Sequence, residues 1–299
     1  MDTDMTKGLT NIKNNLATAD LAVPWETGFA ENIGTREQQQ DRAGIAVGTY
    51  CGKTALLAVL ADGMGGMKDG AEYARITVDS HLKHFQEALD RGGKASDALL
   101  FLALKANEEA YSIHDEDSPG GSTLVSALFV DEDVYILSVG DSRIYLFRMN
   151  EELGRYVPLL LNREHVLGAA LDEQAWMGKI DMEDAEDSIY RNTLSSCIGM
   201  EKIRRLDLTE TPIRLLPGDR IGLMSDGVFK TLSSDIIAQT MDEDPETTAL
   251  RIVERVLQEK APKQDNMSIL IVDSKKQAAE AVEEEETAEE ARDGEEQNG

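Results

Sequence analysis

Apolar and polar positions along the chain predict alternating groups of strands and helices. Residues 45–49 and 54–61 are two apolar or β-branched runs separated by a short link containing Gly52, which predicts a β-hairpin. Between residues 74 and 89, apolar side chains recur at intervals of three and four, which predicts an amphipathic helix with one buried face. A second helix is predicted from about Ser96.

The later part of the chain is typical of a compact β region. Further strands are predicted at residues 123–130, 134–139, 143–148, 220–224 and 267–272, with a helix at residues 249–257. The links between the first three of these strands are so short that we expect them to join antiparallel neighbours. Strand runs interleaved with helices predict an α+β layered sandwich rather than a parallel doubly wound sheet.

Neither end of the chain shows a clear pattern of apolar and polar residues. Residues 1–25 lack clear periodicity and are interpreted as an N-terminal extension of undecided order, before a predicted domain at residues 26–273. Residues 274–299 form an acidic tail with almost no large apolar side chain, and from Gln277 onward its single basic residue is Arg292. Such a segment cannot bury enough surface to offset the entropy of ordering, so we expect it to be disordered. The alternative is a docking or solubilising segment.

Charge and composition exclude several classes of protein. The 299 residues are 41% apolar, enough for a substantial core, and carry a formal net charge of −27. Nucleic acid would be repelled by so acidic a surface. No apolar run approaches the ~18 residues that span a bilayer, and residues 1–20 do not resemble an export signal, so we expect no membrane contact and a cytoplasmic protein. Two cysteines, Cys51 and Cys197, are too few for a disulfide framework or a zinc site.

Aspartates recur at the borders of the predicted strands. They are Asp41, Asp62, Asp141, Asp226 and Asp265. Each one alone is typical of a turn. If the strands share one sandwich, however, their ends can meet at one edge, where crowded carboxylates would repel one another unless cations lay between them.

The ligand types favour magnesium or manganese over zinc. Carboxylates are hard ligands, and the four histidines are scattered without the spacing of a metal site. Two oxygen-ligated ions suit phosphoryl transfer, because together they can activate a water and neutralise charge on a phosphate. An arginine would still be needed to orient the phosphate oxygens. Arg36 is the candidate, although by itself it could equally be an ordinary surface arginine.

Seven short motifs occur in an order that resembles a known family. They are Arg36-Glu37-Gln38-Gln39-Gln40-Asp41, Asp62-Gly63-Met64-Gly65-Gly66, Gly121-Ser122-Thr123, Gly140-Asp141-Ser142-Arg143, Arg191-Asn192 before Gly199, Ser225-Asp226-Gly227 and Asp265-Asn266. Together they resemble the metal-dependent protein phosphatases of type 2C, over about residues 30–273. The resemblance implies a four-layer αββα sandwich, with two antiparallel sheets flanked by helices.

The resemblance also implies a set of metal ligands. Asp62 is similar to the carboxylate that bridges two metals, and Gly63 to the residue that gives a backbone carbonyl to one of them. Asp226 and Asp265 match the ligands of the other metal. Asp141 is similar to an aspartate that, in bacterial relatives, helps to bind a third and weaker metal. The implied cofactors are therefore two Mn²⁺ or Mg²⁺ ions, with a third as an addition.

Other positions match the family's remaining functional residues or depart from them. Asp41 matches the acidic residue that holds the metal-bound water, and Arg36 matches the arginine that binds phosphate. Residues 165–184 resemble a mobile flap beside the active site. Gln40 is a neutral amide where many relatives carry a carboxylate or an amide, and Met64 replaces a histidine of animal relatives, so water is a candidate for the general acid.

The implied activity is hydrolysis of phosphoserine and phosphothreonine on proteins by a metal-activated water. Its expected partners are phosphorylated proteins and a cognate serine/threonine kinase system. One alternative is a catalytically silent relative that binds phosphoproteins or a regulator. Another, a nucleotide-binding loop after Asp62, is disfavoured because Lys68 stands where the dinucleotide pattern needs its third glycine.

Overall fold

The structure is a computed structural model that describes residues 24–64, 70–116, 119–242 and 244–274. The strands are β1 Trp25–Asn32, β2 Asp41–Tyr50, β3 Lys53–Asp62, β4 Leu124–Val130, β5 Asp133–Val139, β6 Arg143–Asn150, β7 Arg155–Leu160, β8 Asp207–Leu208, β9 Ile213–Arg214, β10 Arg220–Met224 and β11 Met267–Ser274. The helices are α1 Gly70–Asp90, α2 Ala95–Tyr111, α3 Leu167–Trp176, α4 Met182–Glu186, α5 Asp226–Phe229, α6 Ser234–Gln239 and α7 Pro245–Gln258. Of the predicted N-terminal extension at residues 1–25 and the predicted acidic tail at residues 274–299, residues 1–23 and 275–299 lie outside the described residues.

The strands form two antiparallel sheets. The first sheet has the order β1-β11-β10-β6-β7, and the second has the order β2-β3-β4-β5-β8, with β9 also paired to β5. Helices α1 and α2 cover the outer face of the second sheet, and α7 covers the outer face of the first. This arrangement confirms the expected four-layer αββα sandwich. In the described ranges, no helix is long and apolar enough to cross a membrane.

Three apolar clusters hold the four layers together. Strand β3 contributes to two of them because its side chains alternate between its two faces. Leu57 and Val59 pack against α1 and α2, whereas Leu56 and Leu60 pack between the sheets. The third cluster lies between the first sheet and α7 and includes Ile252. A central strand buried on both faces explains why residues 54–61 are a continuous apolar run rather than an alternating one.

The predicted hairpin is confirmed, and its strands are longer than predicted. Cys51 and Gly52 form the turn with φ of 51° and 79°, the left-handed conformations of a tight hairpin turn. From that turn, β2 and β3 pair without interruption until Asp41 lies opposite Asp62. The two aspartates are therefore cross-strand partners at the far end of one hairpin.

One predicted connection is wrong. The link at Gly140, Asp141 and Ser142 was expected to join antiparallel neighbours, but β5 belongs to the second sheet and β6 to the first. The chain crosses between sheets at Gly140, whose φ is 102°. Thr123 lies against this glycine, 2.8 Å from the position that a Cβ would occupy. The crossing leaves Asp141 between the two sheets rather than at the tip of a hairpin.

Candidate metal and phosphate site

The five strand-border aspartates come from both sheets and lie at one end of the sandwich. Asp41 and Asp62 end the paired strands β2 and β3 of the second sheet. Asp226 and Asp265 border β10 and β11 of the first sheet, and Asp141 lies in the crossing between the sheets. The structure thus brings together all five candidate carboxylates, and their charges act on one another.

Asp41 is a buried carboxylate shared between the sheets. Its side chain is only 4% exposed, and its Oδ2 accepts a hydrogen bond of 2.7 Å from the Ser225 hydroxyl. Among the described residues, its Oδ1 has no hydrogen-bond partner. Burial raises the pKa of Asp41 to about 7, and the charges of Asp226 and Asp265 add to this rise. A carboxyl group with this pKa can take up or release a proton near neutral pH.

Asp62 is held in place through its backbone. Its amide donates to the Thr123 hydroxyl at 2.9 Å, and its carbonyl accepts from the Thr123 amide at 2.8 Å. The same hydroxyl lies 2.7 Å from that of Ser142, beside Asp141. Burial raises the pKa of Asp62 well above its ordinary value, and four neighbouring aspartates, Asp41 first among them, raise it further.

Gly63 occupies a position where no side chain fits. A Cβ there would lie 2.2 Å from the carbonyl oxygen of Gly70 at the start of α1. The Gly63 amide donates to the Gln40 carbonyl at 3.0 Å, and the Met64 amide to the Gly121 carbonyl at 3.0 Å. The backbone at Gly63 is therefore fixed by neighbouring backbone on both sides.

Two basic side chains contact the carboxylates of the first sheet. The Arg36 guanidinium lies 2.6 Å from Asp265 Oδ2, and the Lys230 ammonium lies 2.6 Å from Asp226 Oδ2. The same ammonium lies 3.8 Å from Asp141 Oδ2. Burial raises the pKa of Asp141 to about 6, although the nearby Lys230 charge opposes that rise.

The described side chains do not form a complete metal cage. In residues 24–64, 70–116, 119–242 and 244–274, no three histidine, cysteine or carboxylate side chains are arranged to hold one ion. Mg²⁺ and its substitutes do not require such a cage, because they are bound by one or two carboxylates and keep several waters. The donor set here consists of oxygens, one of them the unpartnered and buried Asp41 Oδ1. These residues fit hard divalent ions better than zinc.

Comparison with known proteins identifies the family. Residues 30–270 match the family model described as protein phosphatase 2C. The chain belongs to this family. The matched range contains all seven motifs and every candidate site residue.

Named relatives of this phosphatase 2C family chain include bacterial enzymes. It is 29% identical over 238 residues to the serine/threonine protein phosphatase PstP of Mycobacterium tuberculosis. The match covers 78% of this chain and 42% of that protein, so the chain spans less than half of that relative's length.

Solved structures share the phosphatase 2C fold. The serine/threonine phosphatase of S. agalactiae has a TM-score of 0.67 at 23% identity, over 84% of this chain and 100% of that one. The catalytic domain of PstP in complex with two manganese ions has a TM-score of 0.60 at 22% identity, over 83% and 97% of the two chains. At these identities the likeness establishes the fold.

Two departures from the family's motifs are visible at the site. The Gln40 side chain lies against the start of α1, where its Nε2 is 2.9 Å from the position that a Cβ would occupy if Gly70 carried one. Its backbone amide donates to Asn266 Oδ1 at 2.9 Å, which ties β2 to the residue before β11. Met64 packs its terminal methyl group on Gly121. Neither side chain adds a charge to the site.

The segment that resembles a flap is described as two short helices. It begins at His165, whose amide donates to the Gly140 carbonyl at 2.8 Å and whose Nδ1 accepts from the Gly140 amide at 3.1 Å. The segment is therefore attached beside the crossing that carries Asp141. Its surface carries exposed apolar side chains among acidic ones, with Trp176 83% exposed and Met177 59% exposed. A cavity of about 800 Å³ lies at its base. Mobility of the flap stays a prediction.

Sequence reasoning did not single out several residues that shape the site. Ser225 and Thr123 position Asp41 and Asp62, and both belong to motifs that were recognised only as wholes. Lys230 follows Asp226 by four residues, which is one turn of α5. An i to i+4 search around Asp226 would have found it.

Proposed function

We propose that this protein hydrolyses phosphoserine and phosphothreonine esters on proteins, with Mn²⁺ or Mg²⁺ as cofactor. The observation that carries the proposal is the meeting of five aspartates from both sheets beside Arg36, within a phosphatase 2C family chain. Relatives of this chain carry the name serine/threonine protein phosphatase, which supports the same activity.

Two divalent ions would be held by Asp62, the Gly63 carbonyl, Asp226 and Asp265. The raised pKa of Asp62 supports this assignment, because a crowd of carboxylates needs a counter-charge to stay ionised. The related PstP catalytic domain is in complex with two manganese ions. Bound in this way, such ions would supply charge neutralisation for the phosphoryl oxygens and would make a water molecule more acidic.

The chain's own groups would bind the phosphate and move a proton. Arg36 has a planar guanidinium that can donate two parallel hydrogen bonds to phosphate oxygens. Its side chain is 46% exposed and, in the part of the chain that the structure describes, forms an ion pair with Asp265, so it can turn to an incoming anion. Asp41 Oδ1 would accept a proton from the attacking water, since among the described residues this buried oxygen has no hydrogen-bond partner.

Phosphoproteins made by a serine/threonine kinase are the proposed substrates. Hydrolysis of such esters is useful only where a kinase forms them, so a cognate kinase system is the proposed counterpart. The acidic net charge of −27 favours a protein substrate over nucleic acid. A cytoplasmic location stays a prediction from the sequence.

Phosphate release from para-nitrophenyl phosphate and from a phosphothreonyl peptide tests the activity. We expect turnover in Mn²⁺, none in chelator, and a loss of at least about 100-fold in Asp62→Asn and Asp226→Asn, because each removes a charge that holds metal. Arg36→Ala should mainly raise KM for the peptide, since it removes a contact to the phosphate.

Asp131→Asn is the matched control. Asp131 lies in the turn between β4 and β5, at the opposite end of these strands from the site, and pairs with exposed Lys53. This variant should keep wild-type turnover. Full activity in chelator, or equal rates for wild type and Asp62→Asn, would refute the proposal. Absence of turnover together with phosphopeptide binding would favour the catalytically silent alternative.

A further inference from the structure

Lys230 is a cation inside the site to which the family's motifs give no role. It caps α5, one helical turn after Asp226, and its amide donates to the Asp226 carbonyl at 2.9 Å. Its Nζ lies 2.6 Å from Asp226 Oδ2 and 3.8 Å from Asp141 Oδ2. One ammonium therefore bridges two carboxylates that reach the site from different parts of the fold.

The surroundings keep this ammonium charged. The Lys230 side chain is 51% exposed, whereas the Asp226 and Asp141 side chains that its ammonium approaches are only 18% and 12% exposed. Two nearby carboxylates favour the charged form of an amine. A lysine ammonium is also a compact charge with three donors, similar in use to a small cation between two carboxylates.

The ammonium and a divalent ion would compete for the same place. A metal held jointly by Asp141 and Asp226 would lie between their oxygens, where Nζ already lies. Two positive charges at that distance repel each other strongly in a partly buried site. Asp226 still has its second oxygen, Oδ1, for another ion, and ligating carboxylates are commonly oriented by such outer hydrogen bonds.

We infer that the Lys230 ammonium takes the place of the third, weaker cation that the family resemblance implies at Asp141. The protein then binds two divalent ions rather than three, and Lys230 acts as a positioning residue that fixes Asp226 through Oδ2. This inference rests on the proposed binuclear function, and it replaces the expected metal role of Asp141 with an ion pair.

Counting bound Mn²⁺ by its electron paramagnetic resonance signal tests the inference without reference to activity. Titration of the full chain should give two ions for wild type and two for Lys230→Arg, which keeps the positive charge. Lys230→Gln should bind three, the third more weakly, because the place between the carboxylates becomes free. Adding Asp141→Asn to Lys230→Gln should return the number to two.

Lys105→Gln is the matched control for loss of a lysine. Lys105 pairs with Glu108 on the surface of α2, so its removal should leave the count at two. Three ions in wild type, or two in Lys230→Gln, would overturn the inference while leaving the binuclear proposal intact. No Mn²⁺ binding by wild type would overturn both. Circular dichroism of each variant checks that the fold is retained.

Discussion

Replacing Asp41 by asparagine should make the metal-free protein more stable. Asp41 is buried at the start of β2, and its Oδ1 has no hydrogen-bond partner among the described residues. Its pKa is raised to about 7, first by burial and then by nearby aspartates, whereas in an unfolded chain it would be about 4. The folded protein therefore disfavours the ionised carboxylate that function requires.

The sign and size of this effect follow from proton linkage. Between about pH 4 and pH 7 the folded form binds the Asp41 proton more tightly than the unfolded chain, so stability falls as pH rises through this window. A difference of about three pKa units lowers the free energy of unfolding above pH 7 by about 4 kcal/mol. This is an upper value, because the neighbouring carboxylates titrate together with Asp41. Asparagine carries no charge, and its carbonyl can still accept the hydrogen bond from Ser225. We therefore expect a gain of about 1–4 kcal/mol at pH 8.

Urea unfolding followed by circular dichroism, in chelator, measures this gain. The stabilisation by Asp41→Asn should be largest at pH 8 and nearly absent at pH 4.5, where the wild-type carboxyl is already protonated. Asp131→Asn removes an exposed carboxylate and should change stability by less than about 0.5 kcal/mol at either pH. The reasoning is wrong if Asp41→Asn is no more stable than wild type at pH 8, or if its gain is the same at both pH values.

Three further predictions concern packing and buried charge. Gly63→Ala should cost about 1–3 kcal/mol in urea unfolding, because its Cβ would lie 2.2 Å from the Gly70 carbonyl oxygen; an unchanged midpoint would contradict this contact. Burial lowers the pKa of His81 to about 4, so the free energy of unfolding should fall as pH falls from 6.5 to 4. His81→Gln should reduce this loss by up to about 3 kcal/mol, and equal losses in wild type and variant would refute the prediction. Asp273→Ala should cost about 3–5 kcal/mol by leaving buried Arg220 without this carboxylate, whereas a loss below 1 kcal/mol would show that the pair is dispensable.

The local pattern of apolar and polar residues was sufficient to predict most of the long strands and helices. Residues 220–224 were predicted as a strand and form β10 with the same bounds. The helix predicted at residues 249–257 corresponds to the later part of α7. This helix begins at Pro245, and the Asp244 side chain caps it by accepting a hydrogen bond from the Thr247 amide. These elements are buried on one face or two, and burial gives a sequence its periodicity.

Strand β1 was missed because its sequence is shaped by a neighbouring helix. Residues 25–32 include Gly28, which weakens a strand prediction. A Cβ at Gly28 would lie 2.0 Å from the carbonyl oxygen of Pro245, at the start of α7. The glycine is required by the close approach of α7, and no pattern within the strand itself can report that contact.

The crossing at Gly140 was missed for a different reason. Periodicity shows which side chains of a strand are buried, but it does not tell to which of two stacked sheets the strand belongs. Strands β5 and β6 are each apolar enough for either sheet. The site prediction did not depend on this error, since Asp141 borders both strands in either arrangement.

The candidate site depends on contact between the two sheets, because neither sheet carries all of its groups. Asp41 and Asp62 belong to the second sheet, and Asp226 and Asp265 to the first. Hydrogen bonds that join the sheets at this end include those from the Ser225 hydroxyl to Asp41, from the Gln40 amide to the side chain of Asn266, and between the Thr123 and Ser142 hydroxyls. Under the proposed function, ions held by Asp62 and Asp226 would link the sheets again and stabilise the folded state by mass action. Metal binding should therefore offset the same repulsion between carboxylates that Asp41→Asn relieves in chelator.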